Sequence, residues 1–553
     1  MYVTWLKRKQ LIMLFSFLFP CSVFFAQQAS LPSFYDDLPA PQLAEQIISA
    51  MTDEELLAQT FMFGWAGQKP TDILTGWVKN KGLGSIKIFG WNTHDSIELA
   101  QSIYHLQETA KKCRFSIPLF VATDQEGGWI RHVKGLTSET PGNLALGASG
   151  IPQDAYYAGF YIGREIATLG IHINFAPAVD LLTNKNSSII GPRAFGDDPK
   201  SAGILGAAFM RGSRDAGVLT TAKHFPGHGD TSIDSHGRLP EILISEEVFF
   251  NRELLPFQML IDSGVPAIMS GHLSFPNALK SNIPATFSRY LLSDILQKKM
   301  GFTGLIITDD MMMHGAIRYA GNIEKAVQLA LEAGNDIIES STTPREQDAF
   351  WKHNLQYMGK NPAFKERVKN AAYKILLAKL NYFKSGKSAP IFPDIASIPQ
   401  KLPDPESEQY FLSIAAHAVT IVRNKNIPLP QKSLQNVLLA GRYQDFLKVG
   451  KKRIPLAETS NLSDSLSYKV RNADTVIFCL ADSYSQQKLI ELLRFFPHKN
   501  YVIISVLSPV PLLELPAIQS AVAVYSYSRY SFAAAFAALL GDFIPKGKKP
   551  IKQ

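Results

Sequence analysis

The chain has 553 residues, of which 46% are hydrophobic and 19% are charged, so it is long enough for two folded domains and is not intrinsically disordered. The net charge of +8 is spread thinly, and no aromatic-interleaved basic patch or nucleic-acid motif accompanies it, which argues against a nucleic-acid partner. The three cysteines lie far apart, so neither a disulfide framework nor a cysteine-based metal site is indicated.

The N-terminal segment has the pattern of a secretory signal peptide. Basic residues 7–9 precede an apolar run over residues 11–25, and Ala26 provides a small residue before a polar stretch. We therefore predict that residues 1–26 are a signal peptide and that the protein is exported to the periplasm or the medium. The alternative is an uncleaved, membrane-associated anchor, although the apolar run is short for a membrane span.

Eight short apolar runs, each followed by a polar loop and a helical pattern, occupy the larger part of the chain. This alternation predicts an α/β fold, a (β/α)₈ TIM-type barrel over residues 38–384. Several runs end in Asp, His or Lys, and in such a barrel these ends converge at the rim where active sites are built. The predicted strands cover residues 61–64, 85–89, 118–124, 173–180, 219–225, 267–273, 305–309 and 336–339.

A proline-rich stretch separates this barrel from a second predicted domain. Residues 385–408 contain five prolines and predict a semi-rigid linker. Residues 409–545 alternate short β-branched runs with helical patterns, which is typical of an α/β sandwich domain with an open parallel sheet. The predicted strands are 418–422, 437–440, 475–480, 501–506 and 522–525. A basic tail, 546–553, suits peripheral association with cell-wall polymers or a membrane surface; a solvated tail is the alternative.

Residues 223–236, which read KHFPGHGDTSIDSH, concentrate titratable groups at the end of a predicted strand. A proline and two glycines stop regular structure there, so the polar groups lie at the rim of the barrel. Asp234 and His236 are one residue apart and can lie on the same side of an extended loop. A carboxylate beside an imidazole raises the imidazole's pKa and fixes its tautomer, so the two can act as general acid and then general base.

This stretch resembles the signature of the β-N-acetylglucosaminidase branch of glycoside hydrolase family 3. Three further stretches match in the expected order: residues 124–128 (DQEGG), 192–196 (PRAFG) and 307–310 (ITDD). The resemblance covers most of the chain from about residue 38 onward. It implies a retaining exo-enzyme that removes terminal N-acetylglucosamine from peptidoglycan-derived or chitin-type oligosaccharides, without a cofactor or a metal.

Hydrolysis of a β-glycoside with retention requires a nucleophile and an acid. The resemblance implies that Asp309 is the nucleophile, His236 the acid/base and Asp234 its orienting partner. Successive strand residues point to opposite sides, so only one of Asp309 and Asp310 can face the barrel mouth, and the resemblance selects Asp309. It also implies four ligands of the sugar, which are Asp124, Arg193, Lys223 and His224.

One position departs from the family pattern. The family normally has Arg eight residues after the aspartate that corresponds to Asp124, whereas this chain has His132 there, preceded by Arg131. Either Arg131 or His132 can take the role of the family's arginine, and the sequence leaves this choice open. For two other polar residues at strand ends, Asp180 and His272, we expect structural roles.

Three other functions remain as alternatives. A β-glucosidase of the same family would take its acid from the second domain and would lack the Asp-Ser-His loop. A catalytically silent glycan-binding protein would be expected to have lost Asp309 or His236. A phosphorylase, which uses phosphate instead of water, is not distinguished by sequence, and neither is the natural aglycone.

Overall fold

The computed structural model describes residues 31–187, 189–231, 239–463 and 465–552. The predicted signal peptide, residues 1–26, therefore lies outside the described residues. Within these ranges, no helix combines the length and the apolar character needed to cross a membrane.

Eight parallel strands form a barrel in which the strand order follows the chain. The last strand lies beside the first, and a bridge between Ile307 and Ile337 joins the two edges, so the barrel is nearly closed. The predicted (β/α)₈ architecture is thus confirmed, and each predicted run overlaps one strand. The strands are β1 (Phe61–Phe63), β2 (Ser85–Ile88), β3 (Phe120–Thr123), β4 (Ile173–Asn174), β5 (Leu219–Phe225), β6 (Ala267–Ser270), β7 (Leu305–Thr308) and β8 (Ile338–Ser340).

The barrel helices bury one face against these strands. The second helix begins at a capping box, in which the Thr52 hydroxyl accepts from the Glu55 amide at 3.2 Å and the Glu55 carboxylate accepts from the Thr52 amide at 2.8 Å. The principal helices of the barrel are Ala40–Ala50, Asp53–Gln59, Ser96–Lys111, Asn143–Ser149, Pro152–Thr168, Pro199–Asp215, Leu254–Asp262, His314–Ala320, Ile323–Ala333, Ala349–Lys360 and Pro362–Phe383, with π-helical segments at Trp77–Lys81, Phe249–Glu253 and Tyr290–Lys299.

Two of these helices, Pro152–Thr168 and Pro199–Asp215, approach each other closely because glycines lie at their contact. A methyl group at Gly159 would overlap the carbonyl oxygen of Phe209, and one at Gly212 would overlap the carbonyl oxygen of Tyr156. The contact therefore depends on the missing side chains, because backbone cannot yield as a flexible side chain does.

We expect Gly159→Ala to lower the free energy of unfolding by about 1–3 kcal/mol, because the helices would have to separate. Gly359→Ala is the matched control, since Gly359 is also helical but exposed and has no atom within 4 Å of the added methyl position. It should leave the free energy of unfolding unchanged or raise it by up to about 1 kcal/mol, because alanine favours a helix more than glycine does. Urea unfolding measures both, and equal losses would contradict the role of close helix contact.

The second domain contains a six-stranded mixed sheet. Its strands are β9 (Thr420–Asn424), β10 (Val437–Ala440), β11 (Glu458–Ser460), β12 (Thr475–Leu480), β13 (Asn500–Ser505) and β14 (Ser520–Ala523), in the order β9-β14-β13-β12-β10-β11. Its principal helices are Ser407–Ala418, Gln444–Arg453, Leu466–Asn472, Ser483–Phe495 and Arg529–Leu540.

The expectation of an all-parallel sheet is wrong in one respect, because β9 runs antiparallel to β14. Burial patterns show that a strand is covered but not which way it runs, so this direction is not encoded in the β-branched pattern. The edge strand β11 was also missed, because it is only three residues long and begins with the exposed Glu458.

Aromatic packing and the end of the chain hold the second domain to the barrel. The ring of Tyr161, on a barrel helix, lies 4.9 Å from that of Tyr410 on the helix Ser407–Ala418. The residues predicted as a basic tail return to the barrel: the Lys548 amide donates to the Ala148 carbonyl at 2.8 Å, and the Asp197 amide donates to the Pro550 carbonyl at 3.1 Å. The backbone of this segment is therefore fixed beside the loop that carries the 192–196 motif.

Candidate active site

Charged side chains meet where the carboxyl ends of the strands converge. Within β2, Ile86 and Ile88 pack outward against the helices, so the intervening Lys87 points into the barrel. The same alternation places further charged groups above an interior layer that includes Met62, Phe175, Met269 and Ile307. The inward-facing charged residues are Lys87, Asp124, Lys223, Asp309 and Glu339.

Asp124 is held by two lysines. Lys223 Nζ lies 2.5 Å from Oδ1 of Asp124, and Lys87 Nζ lies 2.8 Å from Oδ2. Burial alone would raise the pKa of Asp124, but the charges of Lys223 and Lys87 outweigh it and hold the pKa well below its ordinary value. Asp124 is therefore an ionised acceptor in a fixed orientation at the rim of the barrel.

Glu126 joins Arg193 to the same network. Arg193 donates to both oxygens of Glu126, through Nε at 2.9 Å and Nη2 at 2.7 Å, and Lys223 Nζ lies 2.6 Å from Oε1. Burial opposes ionisation of Glu126, but Arg193 and Lys223 hold its pKa below the ordinary value. Glu126 thus orients two of the cations that were predicted to bind the sugar.

His224 is oriented by Asp180. Its Nδ1 lies 2.7 Å from Asp180 Oδ2, and its Nε2 lies 3.3 Å from Arg193 Nη2. Asp180 also accepts from the backbone amides of His224 and His228. A carboxylate at Nδ1 favours the tautomer with its proton there, which leaves Nε2 as an acceptor at the site. Asp180 therefore has the structural role expected of it.

Consecutive residues Lys223 and His224 both reach the site because the strand is irregular there. The pairing between β5 and β6 changes register between Ala222 and Phe225, and such a bulge re-aims side chains that would otherwise alternate. The structure thus brings together all four predicted sugar ligands, Asp124, Arg193, Lys223 and His224.

The two adjacent aspartates after β7 have different surroundings. Asp309 follows the inward-facing Ile307 by two residues, and His224 and His272 outweigh the effect of burial and hold its pKa below the ordinary value. In contrast, Asp310 Oδ1 accepts from the amides of Met312 at 2.9 Å and Ser341 at 3.0 Å, so it orders two loops. Asp309 is the aspartate that faces the barrel mouth.

His132 rather than Arg131 lies beside Asp124. His132 Nδ1 is 3.6 Å from Asp124 Oδ2, whereas Arg131 Nη1 donates to the carbonyl of Thr137 at 2.9 Å. Residues Gln125–Gly127 and Ile130–Arg131 form a two-stranded hairpin after β3. Arg131 instead lines a cleft of about 230 Å³ between this hairpin and the second domain, together with Trp129, Glu139 and Tyr527. The second predicted structural residue, His272, bonds Thr286 at 2.8 Å and the Asp310 carbonyl at 3.0 Å.

Two predicted catalytic residues, Asp234 and His236, lie outside the described residues, so their predicted roles stay predictions. Among the residues that the structure describes, no group of three or more His, Cys, Asp or Glu side chains is arranged to hold a metal ion.

Three charged residues of this site were missed from the sequence, namely Lys87, Glu126 and Glu339. For Lys87 a signal existed, because a lysine between two isoleucines in a strand of a closed barrel must point inward. Glu339 was placed at the end of a predicted strand but was given no role. For Glu126 the sequence offered no comparable signal, since its partner Arg193 is 67 residues away.

Comparison with known proteins agrees with this geometry. The sequence signature described as the glycosyl hydrolase family 3 N terminal domain matches residues 48–376. A Beta-hexosaminidase from Tolumonas auensis is 35% identical over 264 residues, which cover 47% of this chain and 76% of that protein. Beta-hexosaminidase A from Pseudoalteromonas piscicida is 30% identical over 368 residues, or 62% of this chain, and the match spans 60% of that protein's length.

Solved structures extend the similarity into the second domain. A glycoside hydrolase family 3 beta-N-acetylglucosaminidase from Paenibacillus sp. superposes with a TM-score of 0.82 and 26% identity, covering 91% of this chain and 99% of that one. A beta-glucoside phosphorylase shares the fold, with a TM-score of 0.80 and 21% identity over 95% of this chain and 98% of that one. The family signature spans more than half of the sequence, and the chain belongs to glycoside hydrolase family 3.

Proposed function

We propose that the chain is a retaining exo-β-N-acetylhexosaminidase that removes terminal N-acetylglucosamine from peptidoglycan-derived or chitin-type oligosaccharides. The observation that carries the proposal is the position of Asp309 at the barrel mouth, two residues after the inward-facing Ile307 and beside the network of Asp124, Lys223, Arg193 and His224. The names of the Tolumonas and Paenibacillus proteins support N-acetylhexosaminide as the substrate class.

In the proposed mechanism, Asp309 attacks the anomeric carbon while His236 donates a proton to the departing glycosidic oxygen. The bond to the aglycone breaks, and a glycosyl ester forms on Asp309. In the second step His236 takes a proton from water, which attacks the same carbon and releases Asp309. Two inversions give net retention, and Asp234 would hold the imidazole in the tautomer that each step requires.

The sugar-binding groups have a corresponding role. Arg193, Lys223 and Asp124 are charged and fixed by each other, so they offer hydrogen bonds in set directions to the hydroxyl and acetamido groups of the sugar. Because these groups are already oriented, little reorganisation accompanies binding. We also propose export, on the strength of the residue 1–26 pattern, which would place the enzyme where cell-wall or chitin fragments occur.

Initial rates test the substrate and the reaction class. Hydrolysis of 4-nitrophenyl N-acetyl-β-glucosaminide should exceed that of the β-glucoside by at least about 100-fold, since a site built for an acetamide leaves polar groups unpaired around a hydroxyl. Inorganic phosphate should leave the rate unchanged and yield no sugar phosphate. Proton NMR should show the β-anomer as the first product.

Each alternative has its own outcome in this experiment. A faster β-glucoside would favour the β-glucosidase, and a phosphate-dependent rate with sugar phosphate as product would favour the phosphorylase. Binding of the monosaccharide without turnover of either substrate would favour the glycan-binding protein. Initial appearance of the α-anomer would contradict retention.

A further inference from the structure

Glu339 is a buried carboxyl group in the site for which the mechanism above has no use. It lies on β8, where it pairs in register with the inward-facing Met62 of β1, and its side chain is only 1% exposed. Its backbone is fixed, because the amide donates to Thr308 Oγ1 at 2.9 Å and the carbonyl accepts from the Met311 amide at 3.0 Å. The carboxyl group is therefore held in place at the level of the catalytic rim.

One carboxyl oxygen of Glu339 is left without a hydrogen bond from the described residues. Its nearest cation, Lys87 Nζ, lies 3.7 Å from Oε1, whereas the same ammonium is 2.8 Å from Asp124. Oε1 has no hydrogen-bond partner among the described residues. Buried polar atoms of proteins are almost always hydrogen-bonded, so an unpaired carboxyl oxygen beside a binding site points to a ligand that can form the hydrogen bond.

The charges around Glu339 decide its protonation. It faces Lys87 from β2, Asp124 from the end of β3, and both Asp309 and Asp310 from the end of β7. Burial and these three carboxylates outweigh Lys87 and raise the pKa of Glu339 well above its ordinary value. The carboxyl group of Glu339 therefore holds a proton more readily than an ordinary glutamate, and in its protonated form it both donates and accepts a hydrogen bond.

We propose that Glu339 is a further ligand of the non-reducing sugar and binds one of its ring hydroxyl or hydroxymethyl groups between Asp124 and Asp309. A sugar hydroxyl also donates and accepts a hydrogen bond, so one hydroxyl can pair with the O–H donor or the oxygen acceptor of the protonated carboxyl group. One of the residues predicted to bind the sugar is comparably buried, since Lys223 has 2% of its side chain exposed, whereas Asp124 has 13% exposed. This inference rests on the proposed function only in taking a sugar as the ligand.

The test is a cycle of two variants against four substrates, which are a parent glycoside and three deoxy analogues of it. Glu339→Leu removes the hydrogen bond, and Glu339→Gln keeps a donor and an acceptor of the same size. The parent 4-nitrophenyl N-acetyl-β-glucosaminide is compared with its 3-, 4- and 6-deoxy analogues. We expect Glu339→Leu to lower kcat/KM on the parent roughly 10- to 100-fold, the range for one buried hydrogen bond, and Glu339→Gln to recover most of it.

Non-additivity between the Glu339 substitution and the loss of one substrate hydroxyl identifies a direct contact between the two. For the one analogue that lacks the bound hydroxyl, Glu339→Leu should cause little further loss, whereas for the other two the losses should add. Additive losses at all three positions would overturn the proposal, because Glu339 would then act only through Lys87. Glu165→Gln is the control: Glu165 is a buried glutamate whose oxygens accept from Ser138 and Asp404, and it should couple to none of the analogues.

Two further measurements separate this proposal from a folding defect and from the proposed function. The midpoint of thermal unfolding should be unchanged or higher in Glu339→Leu, since an unsatisfied group is removed, whereas a structural role predicts a lower midpoint. If the wild type hydrolyses the β-glucoside instead, the cycle is run with deoxy-glucosides. If it hydrolyses neither, calorimetric binding of N-acetylglucosamine and its deoxy analogues replaces kcat/KM, and the absence of coupling overturns the inference.

Discussion

Asp309→Ala is expected to lower kcat/KM by roughly 10⁴- to 10⁶-fold on every substrate, which is the scale of losing a nucleophile in a hydrolase. The loss should not depend on the leaving group, because no glycosyl ester can form without the carboxylate. Mass spectrometry after reaction with a slow fluorinated glycoside should find the label on the wild-type peptide that carries Asp309. A label on another residue would contradict the assignment.

Two comparisons make this result specific. Asp310→Asn keeps an acceptor for the amides of Met312 and Ser341, so it should retain most of the turnover that Asp309→Ala loses. His236→Ala should slow unactivated oligosaccharides by about 10²- to 10⁴-fold but phenolate glycosides far less, because a good leaving group needs little protonation. Equal slowing of both classes would show that His236 is not the acid.

Lys223→Met is expected to lower the free energy of unfolding by about 3 kcal/mol and to abolish most sugar binding. Lys223 Nζ lies between Asp124 at 2.5 Å and Glu126 at 2.6 Å, with 2% of its side chain exposed, and its removal leaves two buried carboxylates with one cation fewer. Breaking a buried ion pair costs about 3–5 kcal/mol, and the lower end applies because Lys87 and Arg193 remain. Chemical denaturation measures the change.

The matched control is Lys298→Met, which removes a similarly short lysine–aspartate pair at the surface. Lys298 Nζ lies 2.7 Å from Asp294 with 74% of the lysine side chain exposed, and such pairs contribute about 0.3–0.5 kcal/mol. Similar losses in both variants would contradict a special role for burial.

The pH dependence of stability gives a second readout of the same variant. The pKa values of Asp124 and Glu126 are lowered in the folded state, so they contribute stability that is present above their ordinary pKa values and is lost as the pH falls through the folded values. Without Lys223 both folded pKa values rise. Acid unfolding of Lys223→Met should therefore begin at a higher pH than that of the wild type.

Much of the fold was predictable because strands of a parallel sheet are buried on both faces and appear as continuous apolar runs. All eight barrel strands were found on this basis. The direction of β9 was not, because burial is the same in both directions. The three-residue strand β11 was not predicted, because an edge strand with an exposed glutamate lacks a continuous apolar run.

The site was predictable where residues follow one another along the chain and not where they meet across strands. Asp309 faces the mouth by alternation, and motif resemblance grouped Lys223 with His224. The contact between Lys87 and Glu339 joins residues that are far apart in sequence, on β2 and β8, and depends on barrel closure. Only a closed barrel brings the first and last strands together.

The return of residues 547–552 to the barrel has a mechanical consequence. A domain joined to its neighbour by a single flexible linker can move freely. The second domain instead contacts the barrel in two places. Near the start of the domain Tyr410 packs on Tyr161, and at the end of the chain Lys548 and Pro550 form hydrogen bonds with the barrel backbone. Two separate attachments restrict the motion of the second domain relative to the barrel more than one attachment would. The residues of both domains that line the cleft beside Tyr527 are therefore held closer to fixed positions than a single attachment would hold them.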